Sequence, residues 1–265
     1  MMKRTCIKAL LCMALALGLH GAVTAQFQST GAPYVPTPAA VIDVMLQSAF
    51  VGPNDFVIDL GSGDGRIVIE AAKKYGARGV GVELDVNLAF AATEDAKRQG
   101  VAAQVNFVRE NLFDYDVGRA TVLALYLSGP MNAKLRPRIL AQMRPGTRVV
   151  SHDFDMGEWK PDQRREVAVP NKPYGPPVSI VYLWYVPASV AGKWRWQLAF
   201  DGATHAYELA VGQRFQDLSG EALVDGGNAS WAATKLTGDL ISFTLTREQF
   251  GQQVRHEFKI GRAHV

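Results

Sequence analysis

The chain has 265 residues, of which 48% are apolar, 20% charged and 9% aromatic. This composition can fill a large hydrophobic core and excludes intrinsic disorder and a collagen-like fibre. The formal net charge is +3. Lys3, Arg4 and Lys8 are the only charged side chains among residues 1–25 and equal this whole excess, so residues 26–265 are neutral. No overall positive field remains to attract phosphates, and we expect no nucleic acid partner.

Residues 1–25 have the order of a secretory signal peptide. A basic region, 1–8, precedes an unbroken apolar run, 9–19, and small residues at 23–25 precede Gln26. The apolar run is shorter than the roughly 20 residues of a bilayer span, so we expect no stable membrane span. The predicted location is the periplasm or the exterior of the cell. Anchoring by an uncleaved leader is the weaker alternative.

The next segment predicts alternating helices and strands. The first helix has apolar residues at helical spacing, at Val41, Val44, Met45 and Ala49. Strands are predicted over 56–60, 78–82, 105–108, 121–126, 148–151 and 179–186, and helices over 66–75, 86–99 and 133–143. Helices between successive strands indicate a mostly parallel sheet covered on both faces. The predicted fold class is therefore α/β, with a doubly wound, Rossmann-like sheet.

Beyond Pro187 the apolar pattern changes to period two. Residues 194–200, 207–211 and 240–245 alternate between apolar and polar side chains, and Asp201-Gly202 is typical of a turn. This pattern predicts a small antiparallel β module after the α/β domain. Its aromatic residues form either a core or a binding face, and they include Trp194, Trp196, Trp231 and Phe243.

The predicted domain organisation has three parts. Residues 1–25 form the signal peptide, residues 26–188 the α/β domain and residues 189–265 the β module. Residues 260–265, Ile-Gly-Arg-Ala-His-Val, resemble the translation of a widely used sequencing adapter. This resemblance predicts that the natural C-terminus is missing.

The strongest functional signal is a glycine-rich loop between the first strand and the second helix. It reads Asp59-Leu-Gly-Ser-Gly-Asp-Gly-Arg66. Its three glycines let the backbone turn sharply and let a ligand approach the main chain, and the N–H groups at the helix start can receive a carboxylate. About 20 residues later Glu83 ends the second strand, where a carboxylate can accept both hydroxyls of a ribose. The pattern predicts a nucleoside site.

The spacing of the glycines favours one nucleoside cofactor over another. The dinucleotide fingerprint requires glycine where this chain has Arg66, which argues against a nicotinamide oxidoreductase. The loop resembles motif I of class I methyltransferases, and this resemblance implies S-adenosylmethionine as the cofactor, with Asp59 beside the methionine ammonium. It also implies that Asn111 or Glu110, after the third strand, faces the adenine.

Residues 34–37, named the strap below, precede the glycine loop. Its Tyr34 and Thr37 are predicted to fold over the cofactor, although Pro36 also suits a plain surface segment. The candidate cofactor-binding residues are Tyr34, Thr37, Asp59, Gly61, Ser62, Gly63, Asp64, Gly65, Glu83, Asn111 and Leu112.

A closer resemblance covers residues 34–186. The strap, the glycine loop, Leu135-Arg-Pro137 and residues 145–151 are similar to small lysine methyltransferases related to the mitochondrial enzyme that modifies the c subunit of ATP synthase. The resemblance implies methyl transfer to a lysine amine, with a protein as the substrate. An exported, non-catalytic nucleoside-binding protein with the same fold is the alternative. The sequence does not predict an oligomeric state.

Methyl transfer to an amine requires alignment, desolvation and a neutral nucleophile. A lysine amine has a pKa of about 10.4 and is protonated at neutral pH. Residues after the fourth and fifth strands face the reacting centre, because ligands bind at the carboxyl ends of parallel strands. We predict that Tyr126 lines the amine channel and that Asn132 and Asp153 orient the amine. A plain core role is the alternative for Tyr126.

No metal ion is expected. His152, Asp153 and Asp155 could begin a ligand set, but no distant histidine or cysteine pattern completes it. Both cysteines, Cys6 and Cys12, lie in the predicted signal peptide. A mature chain would therefore lack both a disulfide and a cysteine ligand for zinc.

Overall fold

The computed structural model describes residues 34–173, 175–200, 202–249 and 251–261. The predicted signal peptide lies outside the described residues, as do the last four residues of the chain. The described chain forms a seven-stranded mixed sheet with four helices and a six-stranded antiparallel sheet. None of the helices in these ranges is both long enough and apolar enough to span a bilayer.

The larger sheet has the predicted doubly wound arrangement. Its strands are β1 (Phe56–Leu60), β2 (Arg78–Glu83), β3 (Val105–Arg109), β4 (Val122–Leu125), β5 (Arg148–His152), β6 (Gln163–Ala168) and β7 (Val178–Tyr185). The helices are α1 (Ala39–Ser48), α2 (Arg66–Tyr75), α3 (Val86–Arg98) and α4 (Gly129–Gln142). The spatial order is β3-β2-β1-β4-β5-β7-β6, and the first five strands run parallel. This topology confirms the predicted fold class.

Successive side chains of each strand point to opposite faces of this sheet, so each face has its own hydrophobic core. Ile58 and Leu60 of β1 pack in one cluster with Leu135 of α4, whereas Val57 packs in the other cluster with α1. Helices α2 and α3 pack against β1, β2 and β3. Because β1 to β5 are parallel, their carboxyl ends share one edge of the sheet, and the candidate site lies along that edge.

Most predicted bounds lie within one residue of the structure, and the larger differences are an earlier helix start and a missed strand. The helix predicted at 133–143 begins at Gly129, because Pro130 lies in its first turn, where its missing N–H is not needed. The strand predicted at 121–126 is limited to Val122–Leu125. Strand β6 was not predicted, because this edge strand buries only Val167 among charged neighbours and therefore has no clear apolar alternation.

The second sheet is an antiparallel meander, as predicted. Its strands are β8 (Gly192–Phe200), β9 (Ala203–Arg214), β10 (Asp217–Val224), β11 (Gly227–Thr237), β12 (Leu240–Gln249) and β13 (Gln252–Gly261). Trp196 of β8 stacks on Tyr207, with ring centroids 5.0 Å apart, and also meets Phe258 of β13 at 5.3 Å. Since β8 and β13 are the two edges, the sheet curls until its edges approach. The aromatic residues singled out from the sequence, Trp194, Trp196, Trp231 and Phe243, belong to the core of the module.

The module contacts the larger sheet through the turn between β9 and β10. Phe215 of this turn packs on the buried Trp159, with ring centroids 6.2 Å apart. The Arg136 guanidinium lies 5.4 Å from the Phe215 ring, and Gln216 Nε2 donates to the Lys160 carbonyl at 2.6 Å. The module therefore supports the segment that follows β5. The domain boundary at residue 188 stays a prediction.

Candidate functional site

The glycine loop turns from β1 into α2 through three left-handed residues. Gly61, Gly63 and Gly65 have φ angles of +78°, +55° and +78°, a region that side chains disfavour. The N–H groups of Gly61 and Ser62 donate to the Val82 carbonyl at 2.8 and 3.1 Å. These bonds join the end of β1 to the end of β2, where the predicted ribose partner lies.

Glu83 is held rigidly beside this loop. Its Oε2 accepts from the N–H of Gly63 at 2.8 Å, and its Oε1 accepts from the N–H of Asp85 at 2.9 Å. A carboxylate has about four acceptor positions. The two contacts therefore leave acceptor capacity for a pair of ribose hydroxyls, and the ribose assignment of Glu83 stays a prediction.

The strap is fastened onto the glycine loop. A Cβ atom on Gly63 would lie 2.5 Å from the ring of Tyr34, and burial together with the neighbouring Asp64 carboxylate raises the pKa of Tyr34. Arg66 binds Asp64 through Nε at 2.9 Å and Nη2 at 2.6 Å, and its Nη1 donates to the Thr37 carbonyl at 3.0 Å. Sequence reasoning used Arg66 only against a dinucleotide and missed this fastening role.

Asp59 is a buried carboxyl group at the end of β1. It is 2% exposed. Burial, together with the charges of Glu83 and Asp64, raises the pKa of Asp59 to about 8. A buried carboxylate is stabilised by a cation, and the ammonium of S-adenosylmethionine is a cation of suitable size. The buried Asp59 carboxyl group and the neighbouring Glu83 carboxylate fit this cofactor.

Ser62 and Gly65 are buried residues of the loop. Ser62 is 6% exposed, and its hydroxyl has no hydrogen-bond partner among the described residues. A Cβ on Gly65 would lie 2.4 Å from the Phe107 ring. The absence of a side chain at Gly65 therefore allows α2 to pack closely against β3. Other residues of the loop form its exposed surface.

The predicted adenine residues follow β3. The N–H of Glu110 donates to the Glu83 carbonyl at 3.3 Å, so this segment lies beside the ribose position. Asn111 Oδ1 accepts from the N–H of Phe113 at 3.0 Å, and Leu112 is buried in the core. The contact of Asn111 or Glu110 with adenine stays a prediction.

Three aromatic rings follow the ends of β4 and β5. Tyr126 stacks on His152, with ring centroids 3.9 Å apart and an interplanar angle of 28°. Phe154 lies 6.3 Å from Tyr126 and is 39% exposed, whereas His152 is 1% exposed. The rings thus extend from the interior to the surface, at the place predicted for the amine channel. We name Tyr126, His152 and Phe154 the aromatic row.

His152 connects parts of the chain that are distant in the sequence. Its Nε2 lies 2.9 Å from Ser179 Oγ and 3.3 Å from Asp153 Oδ2, and its Nδ1 lies 3.4 Å from Thr37 Oγ1. Burial lowers the pKa of His152 to about 4, so the imidazole is neutral at physiological pH. Sequence reasoning placed His152 near the reacting centre and considered it as a metal ligand, but no local pattern reveals these partners.

Asn132 anchors the segment after β5. Its Nδ2 donates to the carbonyls of Phe154 and Asp155 at 3.0 and 3.2 Å. Its Oδ1 is buried and has no hydrogen-bond partner within the described ranges. Because Asn132 is 0% exposed, this oxygen lies too deep to meet an incoming amine directly, and the predicted orienting role of Asn132 stays a prediction.

The Asp153 carboxylate forms an ion pair with the Lys172 amine. Asp153 has a φ of +59°, and its carboxylate accepts from Lys172 Nζ at 2.6 Å and from the N–H of Ile180 at 2.8 Å. These contacts hold the segment between β6 and β7 against β5. Sequence reasoning missed Lys172, and the predicted contact of Asp153 with a substrate amine has to compete with this ion pair.

Comparison with known proteins points to one family. The ANTKMT methyltransferase domain matches residues 59–163. A protein-lysine N-methyltransferase of Saccharolobus islandicus is 41% identical over 132 residues, which are 49% of this chain and 82% of that relative. The adenine nucleotide translocase lysine N-methyltransferase of Mus musculus is 34% identical over 130 residues, which are 49% of this chain and 56% of that relative.

A solved structure extends this likeness. The RNA methyltransferase of Salinibacter ruber in complex with S-adenosyl-L-homocysteine is 48% identical, with a TM-score of 0.54. The match covers 59% of this chain and 96% of that chain. Because the bound molecule is the demethylated form of S-adenosylmethionine, the match supports the cofactor predicted from the glycine loop.

The raised pKa of Asp59 predicts how its replacement changes stability and binding. The native-state pKa of about 8 exceeds the ordinary value of about 3.9. The native state therefore binds the extra proton between these values, and the free energy of unfolding falls as pH rises through that window. We expect Asp59→Asn to raise the melting temperature by an amount that grows from about pH 4 to about pH 8, measured by thermal unfolding. Binding of S-adenosylhomocysteine should weaken about tenfold or more, measured by calorimetry.

Asp55 supplies a control of opposite sign. Although burial opposes it, hydrogen bonds from Thr121 and Arg148 lower the pKa of Asp55. Asp55→Asn should therefore destabilise the protein at neutral pH, and its effect should shrink on acidification below about pH 4. A melting temperature of Asp59→Asn that stays below that of the wild type at every pH would contradict the account of Asp59.

Proposed function

The chain belongs to the protein-lysine N-methyltransferase family of class I S-adenosylmethionine-dependent methyltransferases, and we propose that it methylates the side-chain amine of a lysine in a protein. The observation that carries this proposal is the junction between the glycine loop and the aromatic row. A Cβ on Gly61 would lie 2.9 Å from Leu127, the residue after Tyr126. The predicted cofactor site and the predicted amine channel are therefore contiguous.

Different residues around this junction would bind the cofactor and receive the acceptor amine. When bound, S-adenosylmethionine supplies a methyl group on a positively charged sulfur. Asp59 and Glu83 would hold its ammonium and ribose, and the Tyr34 ring would cover the loop. The acceptor lysine has to shed a proton, because its ordinary pKa is about 10.4. An aromatic, water-poor channel at Tyr126 lowers the pKa of an entering amine, so that the amine can lose its proton to water. Asn132 would hold the wall of this channel, because its Nδ2 donates to the carbonyls of Phe154 and Asp155.

RNA is a second candidate acceptor. The 48% identity with the Salinibacter ruber protein, which is described as an RNA methyltransferase, favours it. The neutral balance of residues 26–265 argues against it, because binding to the phosphate backbone depends on excess positive charge. The 41% identity with the Saccharolobus islandicus enzyme, over most of its length, favours protein lysine.

A labelled methyl donor separates the two acceptors. Purified protein is incubated with S-adenosylmethionine carrying a tritiated methyl group and with fractionated cell proteins or total RNA. We expect label on protein that resists ribonuclease and yields methylated lysine on hydrolysis. Tyr126→Ala should lower the transfer rate about tenfold or more and change the dissociation constant of S-adenosylhomocysteine less than about threefold, because it removes only the amine channel.

Two further variants control this experiment. Glu83→Ala should lose cofactor affinity as well as transfer. Phe50→Ala replaces a ring that is 73% exposed after α1, far from the strand ends that form the site, and should leave both quantities unchanged. Label that is found on RNA and removed by ribonuclease would replace the lysine proposal with the RNA one.

We also propose that the protein acts after export. The order of basic, apolar and small residues in 1–25 supports this location, and an uncleaved leader on the membrane is the alternative. The mass of the protein recovered from the envelope and the external medium should correspond to a chain beginning at Gln26. Full-length protein confined to the cytosol would contradict the proposal.

A further inference from the structure

We propose that His152 is a positioning residue that fixes the ring of Tyr126 in the orientation that receives the acceptor amine. The proposal deepens the proposed function and rests on it, since it assigns Tyr126 to the acceptor channel. His152 itself lies too deep to meet the acceptor, at 1% exposure. Its influence on the reaction is therefore exerted through Tyr126.

The orientation of the imidazole is determined at both nitrogens. Nε2 lies 2.9 Å from the hydroxyl of Ser179 on β7, and Nδ1 lies 3.4 Å from the hydroxyl of Thr37 in the strap. A planar ring contacted at two positions cannot rotate without losing at least one hydrogen bond. Both hydroxyl groups belong to buried residues, so water does not readily replace either contact.

The imidazole of His152 limits the orientation of the neighbouring Tyr126 ring. The centroid separation of 3.9 Å and the angle of 28° place the Tyr126 ring in face contact with His152. Tyr126 follows Leu125, which pairs with Ser151 in the β4 and β5 register. The two rings therefore project from adjacent positions of neighbouring strands, and any rotation of Tyr126 toward β5 is blocked by His152.

The neutral state of His152 suits this role. An imidazolium against the Tyr126 ring would occupy the same π system that attracts an ammonium group, and its charge would repel the acceptor. Burial holds the pKa of His152 near 4 against the opposing charge of the Asp153 carboxylate, and the charge of Lys172 lowers it further. The ring thus supports Tyr126 without competing for the amine.

The mode of support predicts a specific kinetic pattern. His152→Gln keeps a polar group able to reach Ser179 but removes the ring. We expect it to lower kcat about tenfold with a labelled lysine acceptor, while the dissociation constant of S-adenosylhomocysteine changes less than about threefold. His152→Phe retains a ring against Tyr126 but loses both hydrogen bonds, so it should recover part of the lost kcat.

A double-mutant cycle with Tyr126→Ala tests whether His152 acts through Tyr126. In the Tyr126→Ala background, His152→Gln should change the rate less than about twofold. Multiplicative effects of the two replacements would overturn the proposal, as would equal losses in His152→Gln and His152→Phe or an unchanged kcat in His152→Gln. Thermal unfolding of each variant identifies any loss that comes from unfolding alone.

A spectroscopic measurement keeps the proposal testable if lysine is not the acceptor. In protein with ¹³C-labelled tyrosine rings, the Tyr126 signals, assigned with Tyr126→Phe, should carry a ring-current shift from the stacked imidazole. His152→Gln should remove this shift, and His152→Phe should keep a shift of similar size. Tyr126 signals that are the same in the wild type and His152→Gln would overturn the positioning role. Absence of lysine methylation would instead count only against the proposed function.

Discussion

The hydrogen bond from the Gly63 N–H to the Glu83 carboxylate is the contact on which the rest of the site depends. At 2.8 Å it joins the middle of the glycine loop to the end of β2. Gly63 makes this bond in a left-handed conformation, with the Tyr34 ring packed where a Cβ would lie. Asp59 is buried beneath the same turn, and this burial, together with the charges of Glu83 and Asp64, raises its pKa. A bound cation would therefore stabilise the buried carboxylate of this site.

The strap couples the cofactor half of the site to the acceptor half. Arg66 fixes its Thr37 carbonyl, and the Thr37 hydroxyl lies against His152, which stacks on Tyr126. Each of these contacts joins two residues that lie tens of positions apart in the sequence. The second sheet contributes indirectly, because Phe215 packs on Trp159 in the segment that follows β5.

The sequence predicted the glycine loop, the strands that flank it and the acidic residue after β2, because these features are set by local spacing. It could not predict the partners of His152 or Asp153, since Thr37, Ser179 and Lys172 meet them only through the sheet. Strand β6 was missed for a different reason, because its edge position leaves no apolar alternation to detect. Local patterns thus identify the cofactor side, whereas the acceptor side depends on tertiary contacts.

The central claim is that the loop binds S-adenosylmethionine because Gly63 leaves room for both the hydrogen bond to Glu83 and the Tyr34 ring. Calorimetry with S-adenosylhomocysteine on Gly63→Ala and Gly100→Ala tests it most directly. Gly100 also has a positive φ, +75°, but a Cβ there meets open space. The account predicts at least about a tenfold loss of affinity for Gly63→Ala and less than about a twofold loss for Gly100→Ala. Equal affinities in the two variants would contradict it.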